Sequence, residues 1–328
     1  MDSVLVVGGT RFIGRYTVEA FRDAGYDVTM LNRGSHDDPF ADDPDVAHVQ
    51  GDRRDRATLE SARDEVEPDA VVDCVAYFPA DVREATDVFA DAEAYVYVSS
   101  GASYGEERVP KREGDTALKS CSEEEATTDS AETYGARKAE GDRAVFAAAE
   151  DGVRAMAVRP TVVYGPHDYT ERFAYWVDRV DVEDRVVVPG DGLSLWQMAY
   201  VEDVASALRI VAEEGTAGEA YNVGDEHAPT LGGWIDLLAE TCETGVETVG
   251  ATARDLAREG LEPQDFPMYR GSPHVLDVTK LRDLGWSSTP HRVALQRTVD
   301  EHRANDRTGR KYGPDREREA ALLATLTE

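Results

Sequence analysis

The first fourteen residues constrain everything that follows. Val4-Leu5-Val6-Val7 is an apolar run of strand character, and it meets Gly8-Gly9-Thr10-Arg11-Phe12-Ile13-Gly14. Ile13, Tyr16, Ala20 and Ala24 then recur at three- and four-residue steps, the period of an amphipathic helix. Strand, glycine turn and helix in this order open a dinucleotide-binding unit, because N–H groups at the helix start point at a pyrophosphate. Gly8 and Gly9 permit the turn and a close backbone approach, and Gly14 lets the helix sit against the strand. A glycine pattern alone is weak evidence; its flanks give it weight here.

The alternation continues. Strands are expected at Asp27 to Leu31, Val46 to Val49, Ala70 to Val75, Ala94 to Ser99 and Ala155 to Arg159. Helices are expected near Ala57 to Glu65, Asp81 to Ala90 and Glu132 to Glu150. The segment from Ala70 to Val75 is nearly all apolar, as a strand covered on both faces should be. Strands alternating with helices mean an α/β fold with a doubly wound, Rossmann-type parallel sheet. Residues 1–165 should form this nucleotide-binding domain, with 196–225 returning to it. Residues 166–195 and 226–290 break the alternation and should build a smaller α/β substrate domain. Residues 291–328 read as a helical tail, with a helical pattern near Glu317 to Leu326. The polar loop from Glu106 to Ala131 is longer than a connection needs, which marks a functional loop.

Composition excludes several partners. Asp and Glu number 66 against 35 Lys and Arg, a net charge of −31. Such self-repulsion is relieved by salt, which suits a halophilic, salt-rich cytoplasm. It opposes binding to nucleic acid or an anionic membrane, whose phosphates need cations. Cys74, Cys121 and Cys242 are too few and too scattered for a disulfide framework, and the histidines show no metal-ligand spacing. No signal-peptide pattern and no apolar run of membrane length is present, so a cytoplasmic location is expected.

Two clusters carry chemistry. Tyr134-Gly-Ala-Arg-Lys138 places a phenol and an ammonium one helical turn apart on one face. The ammonium favours phenolate, so the tyrosine can exchange a proton with a substrate hydroxyl. Ser100 lies in Ser99-Ser100-Gly101-Ala102-Ser103-Tyr104-Gly105, at a strand's carboxyl end, where α/β sites form. It can hold a substrate oxygen by hydrogen bond.

These residues resemble the extended short-chain dehydrogenases/reductases of the NAD-dependent epimerase/dehydratase type. The likeness spans nearly the whole chain. It takes in the glycine turn, Gly51-Asp52, Tyr134…Lys138, Arg159-Pro160…Tyr164-Gly165-Pro166, Tyr200-Val201-Glu202-Asp203, Tyr221-Asn222-Val223-Gly224 and Leu284-Gly285-Trp286. The resemblance implies a Ser100, Tyr134 and Lys138 triad and a homodimer. It also implies hydride transfer between a nicotinamide and a hydroxyl or keto carbon of a sugar, nucleotide sugar or related small molecule, as an oxidoreductase or epimerase. Arg11 replaces the usual middle glycine, as in an atypical subgroup that includes RNA-binding proteins. A non-catalytic RNA-binding or cofactor-sensing protein is therefore the alternative reading. Gly101-Ala102 stand where sugar dehydratases carry Asp-Glu, which argues against dehydration. Trp196-Gln197-Met198 stand where a diphosphate-binding arginine is usual; Arg270 could substitute.

The second strand ends in Asn32-Arg33 rather than an acid that would grip the adenosine ribose of NAD. Arg33 and Arg11 favour a 2′-phosphate, so NADP(H) is expected over NAD(H). Asp52 and Arg53 should border the adenine. Cys74, Val75 and Ala76, with Pro160, should line the nicotinamide side. Tyr77, Tyr164 and Trp196 are candidate stacking surfaces for substrate.

Overall fold

A computed structural model describes residues 1–305 and 307–326. The chain runs β1 (Ser3–Val7), α1 (Phe12–Asp23), β2 (Asp27–Asn32), β3 (Val46–Gln50), α2 (Arg56–Val66), β4 (Ala70–Asp73), α3 (Pro79–Val88) and β5 (Ala94–Val98). It continues through α4 (Glu123–Thr127), α5 (Ala131–Glu150), β6 (Ala155–Pro160), β7 (Val162–Tyr164), α6 (Ala174–Val182), β8 (Arg185–Pro189) and β9 (Met198–Tyr200). Then come α7 (Val201–Glu214), β10 (Ala220–Val223), α8 (Leu231–Cys242), β11 (Glu247–Ala251), α9 (Ala253–Leu256), α10 (Thr279–Arg282), α11 (His291–Ala304) and α12 (Arg316–Leu326).

Two compact units result. The first holds Met1–Val163, Ala199–Glu226 and Leu276–Ser288; the second holds Tyr164–Met198, His227–Val275 and Thr289–Glu328. Two assignments differ from the sequence expectation. Residues 276–288 belong with the sheet, where Trp286 Nε1 donates to Asp203 O (2.9 Å) and Asp277 N to Lys111 O (2.8 Å). The C-terminal tail is no separate piece: within the second unit Glu319 on α12 is buried, accepting from Arg179 Nε (2.5 Å) and Tyr175 Oη (3.0 Å).

In the first unit a seven-stranded sheet has the order β10-β6-β5-β4-β1-β2-β3, parallel throughout. Strand alternation divides its side chains between two faces. Leu5, Val7, Val71, Tyr95 and Tyr97 pack into one cluster with Leu59 and Ala62 of α2, Val82 and Ala85 of α3, and Val145 of α5. β4 and β5 are buried along their whole length, which explains their unbroken apolar runs. β4 ends at Asp73, two residues short of the expected end; Asp73 is still paired with Val7 and Tyr97, and its side chain accepts from Val75 N in the loop that follows. The second unit carries a two-stranded parallel β8–β11 sheet and α6, α8, α11 and α12. Among the described residues no helix is long and apolar enough to cross a membrane.

Candidate active site

The glycine turn sits at the carboxyl end of β1. Gly8 has φ +93°, and a Cβ there would lie 2.4 Å from Val75 Cγ1. A Cβ on Gly14 would lie 2.0 Å from the Gly8 carbonyl oxygen. Only glycine at both positions lets α1 close down on the turn. Arg11 at the N-cap has no acceptor to offer the first turn of α1 and makes no side-chain cap, so that end is suited to an anion. At the end of β2, Asn32 Oδ1 accepts from Gly34 N (2.8 Å), while its buried Nδ2 has no partner among the described residues. An orphan donor there fits an adenosine ribose oxygen. The turn and Asn32 together accommodate a dinucleotide. Arg11 and Arg33 are both exposed, and Arg11 Nη1 lies 3.2 Å from His36 Nε2. Thr10, Ile13 and Asp52 stay in reach of solvent, whereas Phe12 is buried.

Arg53 does not border an adenine. It is buried, with Nη2 2.5 Å from Asp73 Oδ2 and 2.9 Å from Asp81 O, and Nη1 3.3 Å from Asp81 Oδ1. An acid at the end of an apolar strand needs a buried cation, and Arg53 supplies it.

The triad residues come from β5 and α5. Ser100 caps the 3₁₀ turn Gly101–Ser103, accepting at Oγ from Ala102 N (3.2 Å). Gly135 brings α5 against that turn: a Cβ on it would lie 2.5 Å from Ala102 O. Gly141, six residues further on, likewise makes room for Tyr97 Oη. Lys138 is 3% exposed, and its Nζ donates to Ala76 O (2.9 Å) and Val98 O (2.7 Å). The ammonium lies 5.9 Å from the Tyr134 ring centroid, 5.3 Å from that of Tyr77 and 4.7 Å from that of Tyr97. Burial pushes the Lys138 amine down to about 8, and the carboxylates of Asp73 and Asp142 oppose that fall. Burial pushes the Cys74 thiol up to about 12, which makes it a packing group rather than a nucleophile.

Val75, Ala76 and Tyr77 follow β4 beside this lysine. Tyr77 is 38% exposed. Pro160, buried at the end of β6, pairs in register with Val223. Tyr164 and Trp196 do not offer stacking surfaces. Both are buried in the second unit: Tyr164 lies edge-on to Phe173 (5.2 Å) and Trp234 (5.6 Å), and Trp196 edge-on to Trp176 (5.8 Å). Aromatic area of this size is worth more in a core than on a surface. Arg270, in the same unit, is exposed.

Sequence reading missed Arg137. It is buried, donating to Tyr77 O (2.9 Å), Asp129 Oδ1 (2.9 Å) and Ser130 O (3.1 Å), and its guanidinium lies 4.8 Å from the Phe78 ring centroid. Its place directly before Lys138 was the available signal.

A doubly wound parallel sheet, a glycine turn at β1 and a buried helix lysine beneath a tyrosine define a dinucleotide-dependent α/β enzyme. The chain belongs to the NAD dependent epimerase/dehydratase family, whose model matches residues 4–224. It is 27% identical over 251 residues to the chloroplast stem-loop binding protein of 41 kDa b of Arabidopsis thaliana, covering 73% of this chain and 62% of that protein. It is 26% identical over 311 residues to the low-salt glycan biosynthesis protein Agl12 of Haloferax volcanii, covering 86% and 92%. The dTDP-glucose 4,6-dehydratase of Bacillus anthracis, solved in complex with NAD, shares the fold with a TM-score of 0.73 at 20% identity, over 93% and 98% of the two chains.

Proposed function

We propose that the chain catalyses reversible oxidation at a hydroxyl carbon of a sugar or nucleotide sugar, as an epimerase or reductase. Tyr134 Oη takes the proton from the substrate hydroxyl and returns it. Ser100 Oγ orients the same oxygen by hydrogen bond, and Lys138 stabilises the phenolate from beneath. The observation that carries this is the Lys138 ammonium, held by two backbone carbonyls under the Tyr134 ring.

Gly8, Gly9, Gly14 and Asn32 would hold the dinucleotide, and Cys74 to Ala76 would flank its nicotinamide. When bound, the nicotinamide supplies two-electron redox chemistry at the substrate carbon. Preference for NADP(H) is supported by Asn32 in place of an acid and by the exposed Arg33 and Arg11. Dehydration is not proposed, because Gly101-Ala102 after Ser100 carry no carboxyl to drive elimination. RNA binding is not proposed either, since a chain with net charge −31 repels phosphate. The test is a panel of nucleotide sugars and free sugars, followed by nicotinamide absorbance and, for epimers, by product chromatography. A converted substrate supports the reading; no conversion by folded, dinucleotide-bound protein across the panel counts against it.

A further inference from the structure

The loop from β4 to α3 is closed by one buried side chain. Arg53 binds Asp73, at the loop's start, and both the carboxylate and the backbone carbonyl of Asp81, at its end. Each acid in turn holds the loop backbone. Asp73 Oδ1 accepts from Val75 N (3.2 Å), and Asp81 Oδ2 accepts from Tyr77 N and Phe78 N (3.0 Å each). Tyr95 Oη adds a further bond to Asp73 (3.2 Å). Between these two anchors lies Ala76, whose carbonyl takes one of the two Lys138 bonds.

We propose that Arg53 and Asp73 are positioning residues for Lys138: Arg53 staples the loop that presents the Ala76 carbonyl, and Asp73 presents the buried carboxylate that balances the ammonium. The proposal deepens the reading of Lys138 as the partner of Tyr134 and rests on it for its catalytic consequence. The groups around Lys138 are few. Asp73 and Cys74 come from the end of β4, Tyr77 from the loop and Tyr97 from β5. Tyr134, Arg137 and Asp142 come from α5. Both carboxylates are paired with a buried arginine, Asp142 with Arg159 Nε at 2.9 Å and Asp73 with Arg53. Replacing Asp73 by Asn keeps an acceptor for Val75 N but removes the charge and leaves Arg53 positive, and both changes disfavour the ammonium.

The chain has five lysines, Lys111, Lys119, Lys138, Lys280 and Lys311, so lysine-selective ¹³C labelling yields a countable spectrum. The Lys138 Cε signal, assigned by its loss in Lys138→Arg, is titrated in protein without substrate. Asp73→Asn should lower its midpoint by at least about one pH unit, a tenfold change in the protonation equilibrium. Should Asp73→Asn fail to fold, Arg53→Met/Asp73→Asn decides. It removes the Asp73–Arg53 ion pair as a unit, leaves Asp81 its bonds from Tyr77 N and Phe78 N, and should lower the midpoint by less. A midpoint that does not move in a variant whose other lysine signals stay native overturns the proposal. The catalytic reading fails separately: Tyr134→Phe would then turn over normally while the Lys138 titration still moved.

Discussion

Lys138→Met removes the buried ammonium and keeps most of the stem. In the fold this amine titrates at about 8, against an ordinary lysine value of 10.5, because burial disfavours its charge. At 1.36 kcal/mol per pK unit the gap penalises the charged form by about 3 kcal/mol at neutral pH. A lowered lysine pKa means that the folded state binds fewer protons than the unfolded one between pH 8 and 10.5. The penalty is therefore complete below pH 8 and relieved as pH rises through that window. Methionine carries no such term, but it leaves Ala76 O and Val98 O without their donor, at about 1–3 kcal/mol each. The two proteins should thus differ little at pH 7. Between pH 7 and pH 10 the stability of the unmodified protein relative to Lys138→Met should climb by about 2–3 kcal/mol. Urea unfolding of both proteins in buffered KCl at the two pH values measures it, and other titrating groups cancel in the difference. A difference independent of pH would mean that burial does not disfavour the Lys138 ammonium.

Gly135→Ala should cost about 1–3 kcal/mol by overpacking, since its Cβ meets the Ala102 carbonyl at 2.5 Å, and should lower turnover by lifting Tyr134 from Ser100; thermal melts and kcat check both. If Arg33 and Arg11 face a 2′-phosphate, NADP(H) should bind at least about tenfold tighter than NAD(H), with Arg33→Ala erasing most of the margin; calorimetry with equal affinities for the unmodified protein would refute this. Melting temperature should rise with KCl from dilute buffer towards molar levels, because screening relieves the −31 charge, and a flat or falling series would contradict the halophilic reading.

The sheet was legible because periodicity and glycine placement act locally. β1, the turn and α1 follow from Val4 to Gly14 alone, and the edges of β1 to β6, the strands given bounds, lay within two residues of their expected places. Tyr134 and Lys138 were legible because one helical turn is a fixed spacing. Arg53 was misread because its neighbours, Gly51-Asp52, suggest a surface loop; its partners Asp73 and Asp81 lie 20 and 28 residues away. Tyr164 and Trp196 were misread because an aromatic ring suits a binding face and a core equally well. Only the packing of Phe173, Trp176 and Trp234 around them decides it. The placement of 276–288 rests on single long-range bonds such as Trp286 to Asp203, which leave no periodic trace.

On the proposed mechanism Tyr134 moves the substrate proton with Lys138 beneath it. Tyr134→Phe keeps the ring, and with it the packing over Lys138, and removes only the hydroxyl with its exchangeable proton. With a substrate from the sugar panel, kcat should fall by about 10²- to 10⁴-fold, while dinucleotide affinity stays within about twofold. Turnover of Tyr134→Phe at the unmodified rate would mean that Tyr134 does not carry the proton.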